Sequence, residues 1–346
     1  MLIRRSNSRR AAQARIGAGR LHGSVATVWG WLAVLMCLVM TAPAAAQDSF
    51  PLKPVRLIVG FQPGSSSDVA ARIVAQQLSQ VLKQKVYVEN RAGASSGIAA
   101  RAVAAAAPDG HILFLATVAN VINAAANSPT DIDLARDLLP VALMGRVPNV
   151  LVLNPALRIG TLEAFIARAK AWPGEITYGT AGNGTALHMA AALFSVLAEV
   201  KMTHVPYQGS AAAITDLLAG RISSMFAPVS SVLPHIRSGK LTAIASTGSA
   251  RSSIIPELPT LAELGVRGFE STVWFGVMSP LGLPTRTESI LASSIREAVA
   301  SPEVQAQFRS NGIEASVMLV GDFGAYIRSE TDKWARVIES QGIRLF

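Results

Sequence analysis

From residue 55 onward, short β-branched apolar runs alternate with longer alanine-rich stretches of helical periodicity. This alternation restricts the chain to an α/β architecture assembled from βαβ units. Val55-Arg-Leu-Ile-Val59 predicts a buried strand, followed by the turn-rich segment Gly60-Phe-Gln-Pro-Gly-Ser-Ser-Ser67. Val69, Ile73, Val74, Leu78 and Leu82 then recur at helical spacing and predict a helix over residues 68–82. The unit repeats with a strand over 85–89, a small-residue loop from Arg91 to Gly97, a helix over 98–107, the turn Pro108-Asp109-Gly110 and a strand over 111–116. A second run starts near Val141, with strands expected at 150–153, 176–180, 202–207, 222–227 and 241–246 and helices starting near Thr161, Thr185, Ser210 and Ser231. Further strands are expected at 272–279 and 315–319, the latter inside a largely helical final section. No proline- or glycine-rich spacer separates the two runs. Several crossings between two lobes are therefore expected, near 141–146 and 272–279, in an architecture that closes about a hinge.

The first 46 residues stand apart from this pattern. Six arginines (Arg4, Arg5, Arg9, Arg10, Arg15, Arg20) without an acid precede an apolar run from Val25 to Met40 and the small-residue stretch Ala42-Pro43-Ala44-Ala45-Ala46. That order predicts a secretory signal peptide cleaved after Ala46, and hence export. An uncleaved anchor over 24–46 has the length to span a bilayer, but the proline and alanines suit a cleavage region better. Removing the six arginines lowers the formal net charge from +9 to +3. The remaining basic residues are interspersed with acids, which argues against a nucleic-acid partner. Cys37, the only cysteine, lies inside the apolar run, so the exported chain has no disulfide, thiol nucleophile or thiolate metal site. No His-x-x-x-His or Glu-x-x-His pair occurs, and neither a metal nor a cofactor is expected. The 300 residues after the leader exceed one ordinary core and again suggest two lobes.

Three strand-to-helix loops are rich in small and hydroxyl residues: Gly64-Ser-Ser-Ser-Asp68, Gly93-Ala-Ser-Ser-Gly97 and Gly179-Thr-Ala-Gly-Asn-Gly-Thr185. Such loops expose backbone N–H groups at a positive helix N-terminus and can hold an anion. Any one of them is also explained by ordinary turn and capping chemistry; three, divided between two lobes, point to a site. No Walker lysine follows them, which favours a carboxylate over a phosphate, and the glycine spacing at 179–184 does not fit a dinucleotide loop. Gly93-Ala-Ser-Ser-Gly97 also matches the Gly-x-Ser-x-Gly of a hydrolase nucleophile elbow. The partner histidines available to Ser95, namely His188, His204 and His235, all lie in the second lobe, and catalysis does not tolerate a triad divided across a moving cleft. Asp68 reads first as a helix N-terminal acid, His188 first as a structural histidine, and Tyr207 and Gln208 equally as cleft lining and as packing.

The stretch Pro54-Val-Arg-Leu-Ile-Val-Gly-Phe-Gln-Pro-Gly-Ser-Ser-Ser-Asp-Val-Ala-Ala-Arg72 resembles the opening of the Bug-type, or tripartite tricarboxylate transporter, periplasmic substrate-binding proteins. The likeness continues in order through Val88-Glu-Asn-Arg-Ala-Gly-Ala94, Ala107-Pro-Asp-Gly-His111, Tyr178-Gly-Thr-Ala-Gly-Asn-Gly-Thr-Ala-Leu-His188, Val205-Pro-Tyr-Gln-Gly209, Leu233-Pro-His-Ile-Arg-Ser-Gly-Lys-Leu241 and Pro259-Thr-Leu-Ala-Glu-Leu-Gly265. The resemblance implies a type II-like Venus-flytrap periplasmic binding protein fold, with one lobe from 47–143 and 274–346 and the other from 144–273. It implies a monomeric, non-enzymatic periplasmic receptor that closes on a small mono-, di- or tricarboxylate and passes it to integral-membrane transporter subunits. A receptor feeding a signalling system would share every one of these residues, and a serine hydrolase using Ser95 is the reading from another class. Carried over by position, the ligand residues implied are Phe61, Ser65, Ser66 and Asp68; Ala94 and Ser95; Thr117 and Asn120; and Thr180, Gly182, Asn183, Thr185 and His188. The chain departs from the family pattern in having Ser65 where glycine is usual, and Ala92 and Ser95-Ser96 where proline and glycines are frequent. It also has no aspartate near Ala227-Pro228, which disfavours a ligand carrying an ammonium group.

Overall fold

The computed structural model describes residues 50–126 and 132–344; the signal peptide expected over residues 1–46 lies outside them. The first half is built on β1 (Val55–Val59), α1 (Ser66–Val81), β2 (Val86–Asn90), α2 (Gly97–Ala104) and β3 (Ile112–Thr117). Here β1 lies between β2 and β3 and is parallel to both. The α1 residues Ala70, Ala71, Ile73 and Val74 join one core cluster, while Ala99, Ala100 and Val103 of α2 join another. The two crossover helices therefore cover opposite faces, as right-handed connections require when the chain reverses its direction across a sheet. β1 is thus a topological switch point.

Next come α3 (Val118–Ala125), α4 (Leu134–Asp137) and β4 (Leu138–Leu153). α3 was not expected from the sequence. It is built by a capping box in which Thr117 accepts from the backbone of α3 while Asn120 Oδ1 accepts from Thr117 N–H at 3.0 Å. Asparagine replaces the usual Glu or Gln of that motif, which hides the signal in the sequence.

The second half contains α5 (Leu162–Ala171), β5 (Thr177–Thr180), α6 (Ala186–Leu197), β6 (Thr203–Pro206), α7 (Ser210–Leu218), β7 (Ser224–Pro228), α8 (Val229–Arg237) and β8 (Thr242–Ser246). β9 (Thr272–Pro280), α9 (Thr285–Ala300), α10 (Pro302–Ser310), β10 (Glu314–Leu319) and α11 (Val320–Gln341) complete the described chain.

β4 joins the halves. Its residues 138–148 pair antiparallel with β9, and 142–146 also with β10, whereas 149–153 pair antiparallel with β7 and 150–153 with β8. The change of partners falls at Pro148-Asn149, later than the expected crossing near 141–146, where Pro148 cannot donate to a ladder. β9 meets it there, with Thr272 opposite Pro148. β9 is antiparallel to β3 and β4 is antiparallel to β9, so β4 runs in the direction of β1–β3. β7, β5 and β6 run against β4. The carboxyl ends of β5–β7 are consequently turned back towards those of β1–β3.

The registers give the separation. Thr117 is level with Phe275 and so with Gly145, and Pro228 is level with Asn149. Four residues of extended chain between Gly145 and Asn149 correspond to roughly 13 Å. α11 is a further link, because it packs against α3 and β4 and also against α6. Its Phe323, Ile327, Trp334 and Val337 belong to a core cluster that continues into Phe165, Phe194 and Phe226 of the second half.

Candidate functional site

The loop after β1 is fixed by Asp68. Its buried carboxylate accepts from Gly64 N–H at 2.9 Å, from Arg72 Nε at 3.0 Å and from Asn90 Nδ2 at 2.9 Å, and the same Asn90 amide donates to Phe61 C=O at 3.0 Å. Burial raises the pKa of Asp68, but the hydrogen bonds from Arg72, Gly64 and Asn90 outweigh it and hold the group below its ordinary value. Ser65 caps α1, accepting from Asp68 N–H at 3.2 Å. The structure therefore gives Asp68 a positioning role and leaves it no free oxygen for a ligand cation. Phe61 and Ser65 are half-buried and Ser66 is exposed.

In the loop after β2, Ala94 and Ser95 are exposed while Ser96 is buried. Ala94, Ser95 and Ser96 all have positive φ, at 46°, 48° and 77°, a run of left-handed backbone that L-residues avoid. Asn123 on α3 ties the loop down, its Nδ2 donating to Ser95 C=O at 3.0 Å. Thr117 and Asn120 are buried and spend their side chains on the capping box of α3.

On the opposite edge, Thr185 caps α6 and donates to Gly182 C=O at 2.8 Å. His188 Nδ1 accepts from Gly184 N–H at 3.1 Å, which places its ring proton on Nε2. The His188 ring stacks on His204 with centroids 4.1 Å apart and planes 6° from parallel, and Tyr178 stacks on His204 at 5.0 Å. Thr180 Oγ1 lies 2.7 Å from His204 Nε2 and donates to Gly182 C=O at 3.2 Å. The Thr180 hydroxyl thus links the His204 ring to the loop backbone at Gly182. Burial, reinforced by His204, lowers the pKa of His188 to about 4, and burial also lowers that of His204. Both rings are neutral at pH 7 and brace the loop. Asn183, at its tip, is exposed and makes no side-chain hydrogen bond among the described residues. Tyr207 is turned onto α7, its hydroxyl donating to Asp216 at 2.9 Å.

The candidate residues thus divide into a scaffold (Asp68, Thr117, Asn120, Thr180, Gly182, Thr185, His188), whose polar groups are committed to the loops, and groups with uncommitted surface or donors (Phe61, Ser65, Ser66, Ala94, Ser95, Asn183). The supporting residues Arg72, Asn90 and Asn123 carry no site signal in the sequence, and His204 reads there only as one of the histidines a hydrolase would need. Asn90 lies within the quoted motif Val88-Glu-Asn-Arg, but its reach back to Asp68 is a long-range contact. Six helices of eight or more residues, α1, α2 and α3 on one edge and α6, α7 and α8 on the other, begin at these carboxyl ends. Their aligned peptide dipoles make both edges attractive to anions.

Two α/β halves joined by continuous crossing segments, with their strand carboxyl ends turned to one another, define the two-lobed fold of the periplasmic binding proteins. Residues 70–343 match the model of the tripartite tricarboxylate transporter family receptor, TctC. The chain belongs to this family, whose members are periplasmic receptors and not enzymes. Protein BugT of Bordetella pertussis is 37% identical over 319 residues, covering 91% of this chain and 98% of its own. Rpa4515 of R. palustris, solved with adipate, is 31% identical with a TM-score of 0.70 over 85% of this chain and 99% of that one. MatC from Rhodopseudomonas palustris, solved with bound malate, is 26% identical with a TM-score of 0.66 over 84% of this chain and 100% of that one.

Proposed function

We propose that this receptor binds a small organic acid without an amine, a mono-, di- or tricarboxylate, between the facing carboxyl ends of β1–β3 and β5–β7. It delivers that anion to the integral-membrane subunits of a tripartite tricarboxylate-type transporter. The observation that carries the reading is the opposed direction of the two parallel strand sets along β4, which brings helix N-termini from both halves to one crevice. The adipate and malate held by Rpa4515 and MatC support the ligand class. Lobes comprising 47–143 with 274–346 and 144–273 close over the ligand, and α11 acts as a third strap across them. The ligand is gripped by the hydroxyls of Ser65, Ser66 and Ser95 and the side-chain amide of Asn183, with Thr185 holding the loop that presents Asn183, since the one site carboxylate, Asp68, is already committed to its own loop. Export follows cleavage after Ala46, and the receptor works as a monomer.

Thermal unfolding of the chain from Gln47 onward, against a panel of carboxylates and amino acids, tests this. A ligand at about a hundred times its Kd adds roughly 2.7 kcal/mol, and the midpoint rises by several degrees. A protein freed of copurified ligand by unfolding and refolding that responds to no carboxylate, or responds to amino acids alone, overturns the proposal.

A further inference from the structure

The first turn of α2 carries Ile98, a large apolar side chain that is 53% exposed. Among the described residues, no other exposed large apolar side chain lies in a loop or first helical turn at the carboxyl ends of β1–β3 and β5–β7. A helical side chain leans towards the helix N-terminus and covers the turn before its own Cα. Ile98 does so: a Cβ built on Gly93, in the loop after β2, would lie 2.6 Å from Ile98 Cδ1. The side chain therefore lies across that loop, next to the exposed Ala94 and Ser95. The loop after β1, which carries the half-buried Phe61, abuts the same turn, because a Cβ built on Gly60 would come 1.8 Å from Ser96 Oγ. The crevice edge of the first half thus presents apolar surface from Ile98, Ala94 and Phe61.

Both edges are also poor in charge. The segments 60–68, 90–98, 117–123, 180–188, 206–212 and 228–232 together contain one arginine, one aspartate and one histidine. Arg91 is paired with Glu89, Asp68 is committed to its own loop, and His188 is neutral at pH 7. A bound anion is therefore met by helix N-termini, hydroxyls and the Asn183 amide. A helix N-terminus offers about half a positive charge, and only within its first turn. That balances one or two carboxylates. A third would lose its water with no cation to face it, which is costly.

We infer that the ligand is a mono- or dicarboxylate with an apolar body, an alkyl chain or a ring, and that Ile98 is a specificity-determining residue packing against that body. The inference rests on the receptor reading above and narrows its ligand class. Covering Ile98 with the carbon skeleton of the ligand removes both from water. A hydroxyl on that skeleton would meet Ile98 instead of a hydrogen-bond partner and so lose affinity.

The test is calorimetric titration of the chain from Gln47 onward, as wild type, Ile98→Ser and Ile98→Leu, with hexanoate, adipate, benzoate, malate and citrate. The wild type is expected to bind at least one of hexanoate, adipate and benzoate more tightly than malate, and citrate most weakly. Ile98→Ser weakens binding of the preferred apolar acid about four- to fifteenfold, the worth of one to two methylene groups kept from water, with no comparable change for malate. Ile98→Leu retains the wild-type preference. Because the side chain is exposed, both variants keep the unliganded unfolding midpoint within about two degrees of the wild type, so a loss of binding is not a loss of fold. If malate or citrate binds the wild type more tightly than every apolar acid, the inference falls while the receptor reading stands. It falls in the same way if Ile98→Ser binds the preferred apolar acid as tightly as the wild type does. If the wild type, refolded to remove any copurified ligand, binds none of the five acids, both fall together.

Discussion

Asp68 and His188 are the buried titratable groups that hold the two facing loops, and each makes the molecule sensitive to acid. For Asp68 the folded pKa lies below the ordinary 3.8, so its contribution is complete above that value and is lost as the pH falls through the lower, folded one. Asp68→Asn keeps the size but surrenders the ion pair with Arg72. It is expected to cost about 2 kcal/mol in denaturant unfolding at pH 7, and this penalty shrinks when the measurement is repeated near pH 3. For His188 the folded pKa is about 4 against an ordinary 6.5. Between these values the unfolded chain takes up a proton that the folded chain refuses, so stability is complete above 6.5 and declines as the pH falls towards 4. The full interval is worth on the order of 3 kcal/mol. The unfolding midpoint of the wild type should therefore drop more between pH 7 and pH 4.5 than that of His188→Gln, and equal slopes would contradict the assignment.

At the level of elements, the contact between β9 and α11 leaves no room for a single added methyl. A Cβ on Gly276 would lie 2.2 Å from the tip of the Phe323 ring, which abuts the bare backbone of β9. The φ of Gly276 is not in the left-handed region, so space alone demands glycine. Gly276→Ala is expected to cost about 1–3 kcal/mol by overpacking, read as a lower midpoint in urea. Phe323→Leu in the same background should recover part of the loss, because it frees the volume that the new methyl needs.

For the whole molecule, the core that runs from Ile58 and Phe114 through Trp274 and Trp334 to Phe194 and Phe226 is continuous across both halves. Glu314 of β10 adds a polar tie, accepting from Ser252 Oγ at 2.7 Å and Ser253 N–H at 2.6 Å in the segment after β8. Lobes connected in this way should unfold together. Scanning calorimetry of the chain from Gln47 onward is expected to show one transition whose calorimetric and van't Hoff enthalpies agree. Two resolved peaks would show that the crossing segments transmit little.

The identity of most elements was legible locally, because strands and helices announce themselves by the period of their apolar residues and by their caps. Val55–Val59, the helix from Ser66 and the loop ending in Thr185 needed no partner to be recognised. α3 escaped because Asn120 stands in for the usual capping residue. The full extent of β4 escaped because Pro140, Gly145 and Pro148 interrupt an apolar run that the pairing with β9 nevertheless keeps extended. At the site, the anion-seeking loops can be read from glycine and hydroxyl content, and Asp68 from its place in the first turn of α1. The division of the candidates into scaffold and free groups was not readable, nor was the stacking of Tyr178, His188 and His204, nor the approach of Ser96 to Gly60. The sequence by itself determined what each segment is, since that depends on neighbours three or four residues away. Which carboxyl edges face each other, and which side chains are buried between them, only the tertiary structure decided, because β-pairing and burial join residues that the chain holds far apart.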